Sequence, residues 1–316
     1  MTPKSWMPRV GIVALLVLIC CTAWACAQPV GTEQTSEPAN PDVLRIATTT
    51  SLYDTGLLDE LEAMYENMSG VDVQITSTGT GQALELGERC DVDVVLVHAP
   101  SLEQQFIDEG YGVNQRCFAY NNFIIVGPPD DPAGIMNMTP TEAFQAIYQA
   151  GTGGTEGVQF VSRGDESGTN TREIQIWEAA GYNYTDDIRD SGNWYLESGS
   201  GMGETLTLTN ERGAYTLSDI GTFLSFQQDL DLEQLVTEGD DLLNRYSVMQ
   251  VNPDTCPSVN YPEAVNFTNW LISNDTKQFI GEYGMEEFGQ PLFTPLYPPE
   301  CTEPPFNCTC AENVTV

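Results

Sequence analysis

The chain has 316 residues, and 46 acidic against 11 basic side chains give it a formal net charge of -35. That balance excludes nucleic acid as a partner, because phosphate contacts need clustered Lys and Arg. It also opposes an anionic ligand unless salt screens the surface. At about 1 M ionic strength the Debye length is roughly 3 Å, so surface carboxylates barely reach a cleft, and a salt-adapted, archaeal source is expected.

The first element is a leader. Lys4 and Arg9 precede an apolar run over 10–19 that is short for a bilayer span and shaped like the core of a secretory signal. Cys20, Cys21 and Cys26 follow, then a Pro/Thr/Glu/Ser stretch that reads as a solvated tether. A cysteine between a signal core and a tether points to a lipoprotein, lipidated at Cys21 or Cys26. Residues 1–26 are assigned to the leader and 27–42 to the tether. No later segment is long and apolar enough to cross a membrane, so the remainder is expected outside the cytoplasm, anchored by its lipid or secreted. The later cysteines (Cys90, Cys117, Cys256, Cys301, Cys308 and Cys310) form an even set, as disulfides require. Sequons at Asn67, Asn137, Asn183, Asn266, Asn274, Asn307 and Asn313 fit an exported surface protein.

From residue 43 strand and helix patterns alternate, which indicates α/β layers. A strand is predicted over 43–48. Leu57, Leu58, Leu61, Met64 and Tyr65 recur at helical spacing, and Gly70 stops that helix. A strand over 71–77, a short helix over 79–87, a buried strand over 92–97, a helix over 102–109 and a strand over 118–127 follow. Thr139-Pro140-Thr141-Glu142 is a capping box with proline at the first helical position. Beyond it lie a strand over 158–161, a helix over 169–180, a strand over 194–196 and a helix over 203–209. A further strand-helix step starts at Tyr215, a returning strand covers 242–251, and 262–283 is largely helical. The simplest architecture is two lobes joined by crossovers near 121–126 and 246–252. Lobe I takes 43–123 and 250–294, lobe II takes 124–249, and 295–316 is a Cys- and Pro-rich tail that wraps the surface.

Three Ser/Thr/Gly clusters each end a strand and open a helix: Thr48 to Ser51, Ser77 to Gly81, and Ser162 to Thr169. A helix N-terminus leaves backbone N–H groups unpaired and carries partial positive charge, so it is a ready anion site. Any one cluster alone reads as an ordinary N-cap. Three on the strand edge where α/β ligands bind, one holding the scarce cation Arg163, point to an oxyanion.

These residues sit inside longer motifs. TTTSLYDTGLLDELE, GTGQALELGE, DVVLVHAP, NNFIIVGPPDDPAG, FVSRGDESGT, WYLESGSGMGETL, GAYTLSDIGTFLSF and GEYGMEEFGQPLFTP occur in this order over 44–295. The set resembles the tungstate-binding component of TupA-type tungstate ABC transporters. The resemblance implies a type II periplasmic-binding-protein fold with a ligand cleft between the lobes. It implies capture of tungstate or molybdate for a membrane permease, with no cofactor and no enzymatic activity. By motif match the ligand contacts are Thr49, Thr50, Ser51, Thr78, Gly79, Arg163, Ser167, Gly168 and Thr169. Gln82 stands where the family often carries Lys. Cys90 and Cys117 occupy positions not usually cysteine in the family; they flank the unit around His98 and are expected to pair with each other. A monomer is expected.

Two rivals stay open at this level. A phosphate-binding transport protein would also present Arg, Asp and Ser-Gly-Thr in one loop, with Asp165 accepting the proton of a protonated phosphate. If Asp165 pairs with Arg163 or caps the loop instead, the tungstate reading stands. An extracellular anion sensor or surface interaction protein is the other. His98, the single histidine, is read as a packed, hydrogen-bonding residue rather than a catalytic base, since no nucleophile-elbow motif accompanies it.

Overall fold

The structure, a computed structural model, describes residues 42–310. The leader, the lipidation candidates Cys21 and Cys26, the tether up to residue 41 and the sequon at Asn313 lie outside the described residues.

The chain opens with β1 (Val43–Thr49), α1 (Thr50–Tyr53), α2 (Leu57–Ser69), β2 (Asp72–Thr78) and α3 (Thr80–Glu88). Then come β3 (Val94–Val97), α4 (Pro100–Asp108) and the long β4 (Gly112–Gly127). The middle of the chain holds α5 (Pro140–Thr152), β5 (Phe160–Ser162), α6 (Gly168–Ala179), β6 (Tyr195–Glu197) and α7 (Met202–Arg212). It continues through β7 (Thr216–Asp219), α8 (Ile220–Phe226), β8 (Glu233–Val236) and β9 (Leu243–Val251). The last elements are α9 (Tyr261–Leu271), α10 (Asn274–Glu282), α11 (Met285–Phe288) and β10 (Thr294–Pro295).

The main sheet runs in the order β10-β4-β9-β3-β1-β2. β1 is parallel to both β2 and β3, whereas β9 returns antiparallel between β3 and β4. β4 changes partners along its length. Gly112 to Asn122 pair with β9, and Phe123 to Gly127 pair with β7 and β8. β5 and β6 form a separate parallel pair, bridged to Tyr215 just before β7.

Both faces of the sheet are covered, and the alternation of a pleated strand assigns its side chains. Leu44, Ile46, Val94, Leu96, Tyr246 and Val248 face one apolar cluster, with α2 and α9. Ala47, Val95, Val97, Met249 and Val251 face another, with α3 and α4. A third cluster lies wholly between Phe123 and Leu242 and packs α5 and α6 on β4, β5, β7 and β8.

The capping box forms as its spacing requires: Thr139 caps α5 and Glu142 reaches back to the Thr139 backbone. Two expectations need correction, for the start of β4 and for one disulfide, and the helical stretch over 262–283 is borne out with one break in it. β4 begins at Gly112 rather than 118, because the polar run Asn114-Gln115-Arg116 pairs with β9 despite lacking an apolar pattern. The stretch over 262–283 is two helices, since Ser273 caps α10 and accepts from the Thr276 N–H at 3.4 Å. Cys90 and Cys117 are each in a disulfide, but not with each other; the bonds are Cys90–Cys256, Cys117–Cys308 and Cys301–Cys310. The reason is topological. Cys90 follows α3 and packs in the cluster that holds Cys256 and Val251, whereas Cys117 lies on β4, beyond β9, under the C-terminal tail. The tail is thereby stapled to the sheet, and the buried Lys277 donates to the Cys310 carbonyl at 2.7 Å.

Candidate anion-binding site

The three clusters meet. β1 and β2 are parallel and in register, Thr49 opposite Thr78, so the first two clusters emerge side by side at the carboxyl ends of their strands. Thr49 is the N-cap of α1 and accepts from the Leu52 N–H at 3.4 Å, which turns the chain and places Thr50 and Ser51 at the start of that helix. Gly79 is the N-cap of α3. It packs against the third cluster so closely that an added Cβ would stand 3.1 Å from the Asp165 carbonyl oxygen. Ser167 caps α6 and accepts from the Asn170 N–H at 3.1 Å. The Gly168 N–H at the head of that helix donates to Thr80 Oγ1 at 2.9 Å.

Arg163 joins the parts. It is 1% exposed. Its Nη1 donates to Ser51 Oγ at 2.8 Å and its Nη2 to Thr50 Oγ1 at 2.9 Å. Ser51 Oγ lies 3.5 Å from Thr169 Oγ1. Ser51 and Thr50 accept from the guanidinium, so their own hydroxyl protons stay available for an anion. Arg163 Nη2 also pairs with Asp165 Oδ2 at 2.5 Å, and Asp165 Oδ1 accepts from the Ser167 N–H at 3.2 Å. Both oxygens of Asp165 are thus engaged, one on the cation and one in the loop.

The helices that meet at this point carry no acidic side chain in their first turns. An acid-rich chain is expected to place carboxylates on helix N-termini, where they are stabilising. α2, α4, α5, α7, α9 and α10 each carry Asp or Glu in the first turn. α3 and α6, whose N-termini meet at the Thr80–Gly168 bond, carry none, and neither do the short α1 and α8.

Buried polar groups hold the loop before α6 in shape. Glu173, on α6, accepts from Ser162 Oγ at 2.5 Å, Tyr195 Oη at 2.8 Å and Trp177 Nε1 at 3.0 Å. Ser162 Oγ in turn accepts from the Gly164 N–H at 3.2 Å. Burial pushes the Glu173 carboxyl up to about 7 against these donors. Asp219 caps α8 through Thr222, whose hydroxyl also donates to the Ser51 carbonyl at 3.0 Å. Burial raises Asp219 to about 6.

Of the residues singled out from sequence, Thr50, Ser51, Gly79, Arg163, Gly168 and Thr169 are brought into direct or near contact across the clusters. Thr49 and Ser167 act as helix caps at its margin. Thr78 turns its hydroxyl to Gln82. Sequence reasoning passed over Thr80, although it lies inside the second cluster, and Gly201, beside α7, where an added Cβ would stand 3.5 Å from Thr50 Oγ1. The Ser198-Gly199-Ser200-Gly201 run was the available signal. His98 packs as expected, stacked on Tyr246 with ring centroids 5.1 Å apart, and its Nδ1 meets Asn244 Oδ1 at 2.7 Å.

A late strand returning between two early ones, with donors gathered where the parallel strands end, defines a solute-binding protein of the periplasmic-binding-protein class. A family model described as a PBP superfamily domain matches residues 34–275. A candidate ABC transporter anion-binding protein of Haloferax volcanii is 42% identical over 306 residues, which cover 92% of this chain and 85% of that protein. The tungstate-binding protein TupA of Peptoclostridium acidaminophilum is 38% identical over 250 residues, covering 79% and 84%. The crystal structure of the tungstate ABC transporter from Geobacter sulfurreducens aligns with a TM-score of 0.67 at 42% identity, covering 77% of this chain and 99% of that one. The chain belongs to the PBP superfamily and, within it, to the TupA-type tungstate-binding proteins, which are solute-binding transport proteins and not enzymes.

Proposed function

We propose that this protein captures tungstate, with molybdate as the closest competitor, and delivers it to the permease of an ABC transporter. The observation that carries the reading is the convergence of Arg163, two acid-free helix N-termini and the hydroxyls of Thr50, Ser51, Thr80 and Thr169 on one point. An ionised tetrahedral oxyanion has only acceptors to offer and takes donors of this kind. A protonated phosphate needs an acceptor as well, and both oxygens of Asp165 are engaged. The pairing of Asp165 with Arg163 therefore favours the fully ionised ligand. Charge-assisted hydrogen bonds contribute roughly 1.5–3 kcal/mol each. Six or so, less ordering costs, approach the ~12 kcal/mol of a nanomolar complex.

The same reading assigns 43–123 with 250–294 to one lobe and 124–249 to the other. The partner change of β4 between Asn122 and Phe123 supports the first boundary, whereas the apolar cluster of the second lobe ends at Leu242 and β9 pairs with β3 and the first half of β4, which favours moving the second boundary from 249 back to 242. The protein is exported, works as a monomer and is either held at the outer face of the cytoplasmic membrane by a lipid on Cys21 or Cys26 or secreted. Mass spectrometry of the membrane fraction checks the anchor: a lipid-modified Cys21 or Cys26 supports it and an unmodified mature terminus removes it. The net charge of -35 and the relative in Haloferax volcanii support a salt-adapted source; equal thermal stability with and without KCl would sink that point. Calorimetric titration in high-chloride buffer with tungstate, molybdate, sulfate and phosphate tests the ligand. Tight one-to-one binding of tungstate with phosphate silent is expected, and the reverse order overturns the reading.

A further inference from the structure

His98 directly follows β3 and is 3% exposed. Its Nδ1 meets Asn244 Oδ1, and the direction of that bond is set by a chain of amides. Asn244 Nδ2 donates to Asn121 Oδ1 at 2.9 Å and to Tyr246 Oη at 2.8 Å. Asn121 Nδ2 donates in turn to the Leu292 carbonyl at 3.3 Å. Asn244 therefore presents its oxygen to His98, Nδ1 carries the hydrogen, and Nε2 of the neutral ring carries a lone pair. That Nε2 is buried and has no hydrogen-bond partner among the described residues. Gly168, the first residue of α6, lies over the face of the ring at that end: an added Cβ would stand 2.8 Å from Nε2 and 2.9 Å from each of the two ring carbons bonded to it. A buried, unsatisfied nitrogen at the head of the helix that carries the anion site calls for an explanation.

An Nε2 lone pair beside a dianion is repulsive, whereas an Nε2–H there is a charge-assisted donor. Resting on the oxyanion reading above, we propose that His98 is a ligand of the bound anion and takes up one proton from solvent at Nε2 as the anion enters. The anion is then held by an imidazolium as well as by Arg163.

The charges facing the ring are compatible with this switch. Arg163, in the loop before α6, and Arg172, on α6, disfavour the imidazolium, and Asp165 favours it. Asn244 and Tyr246 on β9 and Phe123 on β4 pack against the ring, and burial places the Tyr246 phenol far above its usual range, so it stays neutral. Burial first, then the two arginines, push the imidazole down to about 4, so it is neutral near pH 7. Two negative charges placed beside it act in the opposite direction, by several pH units on an order-of-magnitude basis.

His98 is the chain's single histidine, so one imidazole reports without mutation. Long-range proton-nitrogen spectra of the untagged, nitrogen-labelled full chain at about pH 7.5 are recorded before and after saturation with sodium tungstate. The expected change is from the Nδ1–H neutral tautomer to an imidazolium with both nitrogens protonated. Calorimetry in buffers of different ionisation enthalpy then gives roughly one proton taken up per tungstate. By linkage, Kd weakens about tenfold per pH unit between the free-state value of about 4 and the higher bound-state pKa, and levels off above the latter. His98→Asn keeps a group that can reach Asn244 and removes Nε2; proton uptake is lost and Kd near neutral pH weakens at least about tenfold. Should that variant fail to fold, the wild-type spectra still decide. A ring that stays neutral in the tungstate-saturated protein overturns the proposal. So does proton uptake that persists in His98→Asn, because Asp219 or Glu173 would then be its source. Absence of tungstate binding at every pH overturns the oxyanion reading itself, which separates the two failures.

Discussion

Replacing Arg163 by Ala removes the guanidinium that donates to Ser51 at 2.8 Å and Thr50 at 2.9 Å and that neutralises Asp165 at 2.5 Å. Two Arg163 N–H donors are assigned to the anion, one of them Nε, which has no partner among the described residues. At about 1.5–3 kcal/mol for each charge-assisted bond, the loss is about 3–6 kcal/mol, or roughly a hundred- to ten-thousand-fold in Kd. The exposed consequence is larger still, because Asp165 is left with no cation beside a dianion, which pushes the effect to the upper end of that range. The assay is calorimetric titration with tungstate in high-chloride buffer, alongside thermal melts that establish folding of a variant altered at a buried position. Asp165→Asn is the companion: its amide oxygen still accepts from Ser167 while the negative charge is gone, so tungstate binds as tightly as before or more tightly. A folded Arg163→Ala protein whose Kd moves less than about tenfold would refute the assignment of the cleft.

Gly168→Ala builds a Cβ 2.8 Å from the His98 ring; overpacking of this kind costs about 1–3 kcal/mol, and both the denaturant midpoint and tungstate affinity fall, whereas an unchanged affinity would place the anion away from the head of α6. Glu173 is raised to about 7 by burial, above its unfolded value. Its contribution to stability is therefore full below about pH 4.5 and is lost as pH rises through about 7, a change of about 3 kcal/mol. Glu173→Gln flattens that part of the stability–pH curve in urea melts, and an unaltered curve would show that Glu173 is ionised throughout. Replacing Cys90 and Cys256 together by Ser opens a link between residues 166 apart and lowers stability by about 2–5 kcal/mol, read as a fall in melting temperature with tungstate affinity retained; lost binding in the folded variant would tie this bond to the site.

The strands and helices were legible wherever one face is apolar. β1, α2, β3 and α5 follow their side-chain periodicity, and the α5 start is written in its capping box. The first half of β4 was not, because Asn114, Gln115 and Arg116 form a strand only through pairing with β9, more than a hundred residues away in sequence. The site was legible in its chemistry, since Ser, Thr and Gly between a strand and a helix have few other uses when they recur beside the one arginine of the loop. Which hydroxyls face inward was less so. Thr78 and Thr80 are equally plausible in the second cluster, and only the start of α3 at Thr80 decides between them. The disulfides were not legible at all in their pairing. Cys90 finds Cys256 because β9 returns beside β3, and Cys117 finds Cys308 because the tail folds back over β4, both consequences of topology rather than spacing. Asn244, which orients His98, carries no local signal in an ordinary strand.

The central claim is that this site holds a fully ionised tetrahedral oxyanion and refuses a protonated one. Titration of the untagged protein with tungstate, molybdate, sulfate and phosphate in turn, in one high-chloride buffer, tests it most directly. The account predicts tight one-to-one binding of tungstate and no heat from phosphate; tight phosphate binding with tungstate silent would contradict it and make Asp165 a proton acceptor.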